Sequence, residues 1–251
     1  MAFVKTVEKI FEKTITHDET KTVAEKVKLI RVSMDINYIN KQHRKAPSFK
    51  RKNIRTEFEL ESWIFDMARE LCETHLYYIR HAHGGKMKME YPSYVLHKDV
   101  IHIKVPHLLD PNDEQVIEYK KKLHMMPKRN KIIIDLINNV GGYFIGMNDA
   151  VQNYLKQIKS PRVIVAVNFK TASAAEMVAA ILSRKYPIVG ERTSGAATNI
   201  YDVHFKDGSM LKMPADNFTY DGMIFKNKYI EPDIHAENPI DVALKIFKEI
   251  K

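Results

Sequence analysis

Two short runs of uninterrupted apolar residues constrain this chain most. Lys131–Leu136 carries Ile132, Ile133 and Ile134 in a row, and Arg162–Val167 reads Val-Ile-Val-Ala-Val after its arginine. A strand that is wet on one face alternates polar and apolar residues. A continuous run is dry on both faces, as in parallel strands covered on each side by helices. Each run is followed by a breaker and then by helical periodicity, over Met147–Ile158 and over Ala172–Leu182. Strands alternating with helices predict an α/β fold with a largely parallel sheet and right-handed crossovers.

The flanking segments extend this pattern. Val100–Val105 is a β-branched run ended by Pro106, Glu114–Leu123 reads as a helix, and Pro187–Val189 is a short strand closed by Gly190. Asp207-Gly208 and Asp221-Gly222 are hairpin signals, and Pro239–Lys251 closes the chain as a helix. Residues 1–80 read differently. Phe3, Val7, Ile10 and Phe11 recur at helical spacing, as do Val23, Val27, Ile30 and Met34. Glu57–Tyr78 predicts an amphipathic helix carrying Trp63, Ile64, Met67, Leu71 and Leu76. Pro47 interrupts the basic stretch between these last two helices. The expected organisation is an N-terminal helical region over 1–80 and an α/β core over 81–251.

Composition narrows the function classes. In 251 residues, 45% are apolar and 28% charged, a globular balance. The net charge of +9 invites nucleic acid, an anionic surface or an acidic peptide as partner. No zinc spacing, phosphate loop or aromatic RNA motif accompanies the lysines, so they read as a solvated face, with no nucleic-acid or membrane partner expected. The single cysteine, Cys72, allows no internal disulfide. No apolar stretch approaches ~20 residues, and Met1–Lys5 does not open a signal peptide. The expectation is a soluble, cytoplasmic protein without metal or cofactor.

Three segments could carry chemistry. In the first, Thr171-Ala172-Ser173-Ala174-Ala175-Glu176 opens a helix of small residues directly after a buried strand. With Thr171 as N-cap, Ser173 falls in the first turn. Backbone N–H groups there lack intrahelical partners, and the helix dipole favours an anion. A serine so placed can attack a carbonyl while neighbouring amides hold the oxyanion. It can equally be an ordinary helix-start serine. In the second, Asp135-Leu136-Ile137-Asn138-Asn139-Val140-Gly141-Gly142 ends a strand in paired glycines, which suit close backbone approach to a ligand or a simple turn. The third, Gly190-Glu191-Arg192-Thr193-Ser194-Gly195-Ala196, is a loop after a short strand.

Together and in this order, these segments resemble the C-terminal processing (tail-specific) serine peptidase family. The family pattern is a strand ending D-L-x-x-N-x-G-G, then S/T-A-S-A-x-E, then V-G-E-x-T-x-G, then G-I/V-x-P-D. Here these correspond to Asp135–Gly142, Thr171–Glu176, Val189–Gly195 and Ile230-Glu231-Pro232-Asp233, over about residues 80–251. The resemblance implies a ClpP/crotonase-like core of β-β-α units, with Ser173 as nucleophile and oxyanion donors from Ala174 and the Gly141–Gly142 pair. The branch with a Ser-Lys dyad carries its lysine where this chain has Ala196. The chain is closer to the branch of the tricorn core and interphotoreceptor retinoid-binding protein, whose base is a histidine just before the core strands.

His83 fits that place, with His81 beside it, and imidazole titrates near working pH. That branch's glutamate position is Lys226 here, and Tyr229 replaces the usual glycine. Glu231, Asp233 or Glu191 could orient the histidine, or the site is a Ser-His dyad, or it is inactive. His83 and Val100 are too close in sequence to hold the PDZ domain that many family members insert. The expectation is a serine-type peptidase cleaving peptides or protein tails through an acyl-enzyme on Ser173. The alternative is a catalytically inactive, peptide-binding pseudopeptidase. Oligomeric state is left open.

Overall fold

The computed structural model describes residues 22–37, 48–51, 53–71, 76–79, 89–109, 111–198, 200–205, 207–214, 218–220, 223–225 and 229–249. The chain divides into two compact units. Met1–Lys86 and Thr198–Thr219 form the first; Met87–Ala197 and Tyr220–Lys251 form the second. The segment around 200–214, which lies within the expected core over 81–251, groups with the N-terminal unit. Among the described residues no helix is long and apolar enough to cross a membrane.

The first unit contains α1 (Val23–Asn37), α2 (Glu57–Glu70) and β1 (Tyr77–Ile79), together with β7 (Ile200–His204) and β8 (Met210–Pro214). It is not the purely helical region the periodicity suggested. The helix expected over Glu57–Tyr78 stops at Glu70, and Tyr77-Tyr78-Ile79 pairs antiparallel with Met210–Lys212. Aromatic and β-branched residues favour the strand, and a partner distant in sequence supplies its hydrogen bonds. The Asp207-Gly208 hairpin forms as expected, joining β7 to β8. Helix α2 starts where Thr56 and Glu59 cap each other reciprocally, Glu59 N–H donating to Thr56 Oγ1 (3.2 Å) and Thr56 N–H to Glu59 Oε2 (3.0 Å). Ile30, Met34, Leu60, Trp63, Met67, Leu76, Leu211 and Met213 form one core.

Among the described residues of this unit, one charge lies inside. Lys26 is 1% exposed. Its ammonium donates to Glu57 Oε1 (2.8 Å), Tyr78 OH (2.9 Å), Ser209 Oγ (3.0 Å) and the Asp207 carboxylate. Burial alone would lower its pKa. The bonds to Asp207, Glu57 and Tyr78 more than reverse this and keep it charged. Lys26→Met keeps the stem and removes the donor, leaving two carboxylates and a phenol facing one another. The expected cost is about 2–3 kcal/mol, read as an earlier melting of this unit by circular dichroism. A melting curve that overlays the wild type would show that the ammonium contributes nothing net.

The second unit holds a six-stranded sheet in the order β11-β6-β5-β4-β3-β2. The strands are β2 (Ser93–His97), β3 (Val100–Lys104), β4 (Lys131–Asp135), β5 (Arg162–Val167), β6 (Ile188–Gly190) and β11 (Ile234–His235). All neighbours run parallel except the β2–β3 hairpin. The helices are α3 (Asp113–His124), α4 (Phe144–Leu155), α5 (Ala174–Ser183) and α6 (Pro239–Glu249). Both apolar runs are central strands, as expected. One face presents Val100, Ile133, Ile164, Ala166 and Val189 to Ala243 and Phe247 of α6. The alternate residues Ile101, Ile132, Val163, Val165 and Ile188 are also buried, and α5 packs on β5. This α/β, parallel-rich architecture matches the expected fold class.

A separate ribbon pairs β9 (Phe218–Tyr220) with β10 (Met223–Phe225). It flanks Asp221-Gly222, which itself lies outside the described residues. The N-terminal periodicity from Phe3 to Phe11, Pro47 and Cys72 also lie outside them.

Candidate active site

Adjacent parallel strands deliver their carboxyl ends to one edge of a sheet, and the loops that follow converge there. The motifs after β4, β5 and β6 meet in this way. Thr171 Oγ1 donates to Leu136 O (2.9 Å), and Ala172 N–H donates to Asn139 O (2.9 Å). Asn138 and Asn168 bond reciprocally: Asn138 N–H reaches Asn168 Oδ1 (3.0 Å), and Asn168 Nδ2 reaches Asn138 Oδ1 (2.9 Å). The third loop is tied in by Ser194 N–H to Thr171 O (3.0 Å). The fourth motif is tied in by Ile230 N–H to Thr193 Oγ1 (2.8 Å). Four stretches separated in sequence therefore share one hydrogen-bonded platform.

Ser173 sits on this platform in an unusual backbone state. It is the N-cap of α5, with φ 54° and ψ −124°. The expected N-cap, Thr171, lies two residues earlier and braces the turn instead. A non-glycine residue at positive φ with this ψ costs roughly 1–3 kcal/mol and persists only where surroundings over-determine it. Such strain gathers at functional sites, where a side chain must be presented in a direction that regular geometry forbids. Ser173 is 8% exposed.

Gly141 explains how closely the neighbouring loop approaches. It has φ +98°, and a Cβ added there would lie 2.7 Å from Ala174 N, 2.8 Å from Ala172 O and 2.8 Å from Ser173 Cβ. Only glycine allows this contact. The Gly141 amide, expected among the oxyanion donors, instead donates to Asn139 Oδ1 (2.8 Å). Asn139 in turn donates through Nδ2 to Val105 O (2.7 Å), which fixes the orientation of its carbonyl. The amides of Gly142 and Ala174 donate to no group among the described residues.

The residue that sequence reasoning passed over is Glu176. It is 0% exposed. Oε1 accepts from Thr193 Oγ1 (2.6 Å) and Gly195 N–H (2.7 Å); Oε2 accepts from Ala196 N–H (2.7 Å) and Ser173 N–H (2.9 Å). Burial raises its pKa, and the four donors oppose the rise. The signal was present as Ser173-x-x-Glu176, the spacing of a capping box.

The other expected residues are placed as follows. Asp233 Oδ2 accepts Ile188 N–H (2.7 Å), and Asp233 N–H donates to Ile188 O (2.9 Å), so this side chain anchors the start of β6. Glu231 lies at the surface, 3.6 Å from Arg192 Nε and 4.0 Å from His235 Nε2. Glu191 borders the same open surface pocket as Arg192, Glu231 and His235. Ala196, at the Ser-Lys branch's lysine position, is buried. His83, His81 and Lys226 lie outside the described residues. A His–carboxylate pair that was not anticipated, His102 Nε2 to Asp135 Oδ2 (2.8 Å), joins β3 to β4. Its strand positions share a face with Ile133. Among the described residues no three His, Cys, Asp or Glu side chains gather as metal ligands would.

Solved structures with this fold include a lipoprotein from Streptococcus agalactiae, with TM-score 0.73 and 20% identity over 93% of this chain and 98% of that one. A putative peptidase from Parabacteroides merdae has TM-score 0.62 and 13% identity, covering 90% and 97%. A photosystem II D1 C-terminal processing protease has TM-score 0.59 and 13% identity, covering 86% and 94%. A search of curated proteins returns no significant match. Residues 147–236 match the family model for peptidase family S41. That span runs from α4 through Ser173 and Glu176 to Asp233. Over this part of its core, the chain is similar to peptidase family S41.

Proposed function

We propose that this chain is a serine peptidase acting on peptides or protein tails. The observation that carries the reading is the state of Ser173. It is held at φ 54° and ψ −124° on the first turn of α5, beside the unengaged amides of Gly142 and Ala174. In the reaction, Ser173 Oγ attacks the scissile carbonyl while His83 takes its proton. The two amides donate to the oxyanion as it forms, in place of the Gly141 amide that Asn139 occupies. The C–N bond then breaks, and the amine leaves with the proton from the imidazolium. Water releases the acyl group by the same steps in reverse order. Of the three candidate acids, Glu231 and Glu191 are those with no bond to a backbone amide among the described residues, and either could orient the histidine. Asp233 is already engaged by Ile188.

Ala196 in place of a lysine supports a reading outside the Ser-Lys branch. It also supports a second reading, a peptide-binding protein that retains the groove without the chemistry. The two separate on one experiment. A fluorophosphonate probe followed by peptide mass spectrometry should give one adduct, on Ser173, and His83→Ala should reduce its formation by at least ~10²-fold. Absence of an adduct in folded wild-type protein would leave the binding reading.

A further inference from the structure

We infer that Glu176 is a positioning residue for the nucleophile: one buried carboxylate holds the Ser173 backbone in its strained state and ties that state to the loop at Thr193–Ala196. The inference rests on Ser173 as nucleophile and adds how its geometry is maintained.

The bonding pattern requires the ionised form. Three of the four donors are backbone N–H groups, which can only donate. The fourth, Thr193 Oγ1, already accepts Ile230 N–H while giving its own hydrogen to Glu176 Oε1. A proton on Oε2 would meet two N–H groups and no acceptor. A neutral acid therefore fits only by turning Thr193 away. Glu176 also lies in the first turn of α5, where the helix dipole favours negative charge.

The same oxygen, Oε2, receives Ser173 N–H and Ala196 N–H. Moving the loop moves this oxygen, and moving this oxygen releases the amide that keeps Ser173 at positive φ. The nucleophile and the loop after β6 are thus one mechanical element, with the carboxylate as its pin. A shift of about 1 Å at a reacting atom can cost ~10²-fold in rate.

The test compares Glu176→Gln with Asn112→Ala, which removes the N-cap of α3. Glu176→Gln must place an NH2 against N–H donors. Its oxygen can serve Ser173 and Ala196 or Thr193 and Gly195, but not both pairs. Asn112→Ala removes the bond from Gln115 N–H to Asn112 Oδ1 and leaves all four bonds to Glu176 in place. Fluorophosphonate inactivation is resolved into an apparent binding constant and a first-order rate constant, alongside the melting temperature and the labelled fraction. For Glu176→Gln, the rate constant should fall by ~10²-fold with binding within about twofold of wild type. For Asn112→Ala, the rate constant should stay within about threefold despite a lower melting temperature.

If Glu176→Gln does not fold, Glu176→Asp replaces it. It keeps the charge but withdraws it by one methylene, and the same fall in rate constant is expected. A rate constant unchanged in the Glu176 variant overturns the inference. So does a loss confined to the labelled fraction, or one that tracks melting temperature equally in both variants. If wild-type protein takes no label at all, the serine peptidase reading has failed, a result distinct from either of these.

Discussion

Ser173→Ala is expected to abolish peptide turnover, by a factor of ~10⁵–10⁶ if the site works as a Ser-His unit. Residual activity over water would come from the amides of Gly142 and Ala174, which the substitution leaves in place. The same position offers a second measurement that does not depend on activity. Ser173 has φ 54° and ψ −124°, a region that costs a non-glycine residue roughly 1–3 kcal/mol. Alanine inherits the strain and glycine escapes it, less the ~0.5–1 kcal/mol glycine loses through a more flexible unfolded chain. Ser173→Gly should therefore be the more stable of the two by about 1 kcal/mol, melting a few degrees higher. Identical melting curves would mean the strain is not present in solution. The peptidase reading would then lose the observation that carries it.

Gly141→Ala is expected to be nearly as damaging to activity, without removing any reacting group. The added Cβ would lie 2.7 Å from Ala174 N, 2.8 Å from Ala172 O and 2.8 Å from Ser173 Cβ. None of these is the end of a flexible side chain. Relief must come from separating the Gly141 loop from the first turn of α5, which also separates Gly142 from Ser173. Overpacking of this kind costs about 1–3 kcal/mol, and alanine at φ +98° costs about 1–2 kcal/mol more. The activity loss should be at least ~10²-fold, measured as kcat/KM on a peptide substrate. Gly208→Ala is the control. Its φ of +80° carries the same conformational penalty, but a Cβ there meets nothing within 4 Å. It should lose stability and keep activity. Comparable activity losses in both would attribute the effect to backbone strain alone.

Much of the core was legible because its signal is local. Ile132–Ile134 and Val163–Val167 read as strands buried on both faces, and they are central in the sheet. The breakers after them located the loops that build the site. Non-local pairing left no such trace. Tyr77–Ile79 continued an apolar pattern that suited the end of a helix, and nothing nearby marks Met210–Lys212 as its partner. Strand β2 was missed for a different reason. Ser93–Leu96 are exposed at the sheet edge, so burial imposes no alternation on them. At the site, the serine and the glycines were readable as residue types. Their backbone angles were not, nor was the bond from Gly141 N–H to Asn139 Oδ1 that separates it from Gly142. Glu176 was visible as a capping residue. Its hold on Gly195 and Ala196 depends on a loop about twenty residues away, which spacing alone does not bring near.

The three-stranded sheet of the first unit has a consequence for how the protein is made. Its strand β1 leaves the ribosome more than a hundred residues before β7 and β8, the other members of that sheet among the described residues. Strands β2 to β6 lie wholly within that interval, and their neighbours are close in sequence. At typical synthesis rates of ~5–20 residues per second, the N-terminal helices wait many seconds for their sheet. During that wait Leu76 and Tyr78, which the finished unit buries, have no sheet to cover them. The segment made first is thus the one completed late. The parallel strands that position Ser173 can assemble while it is still unfinished.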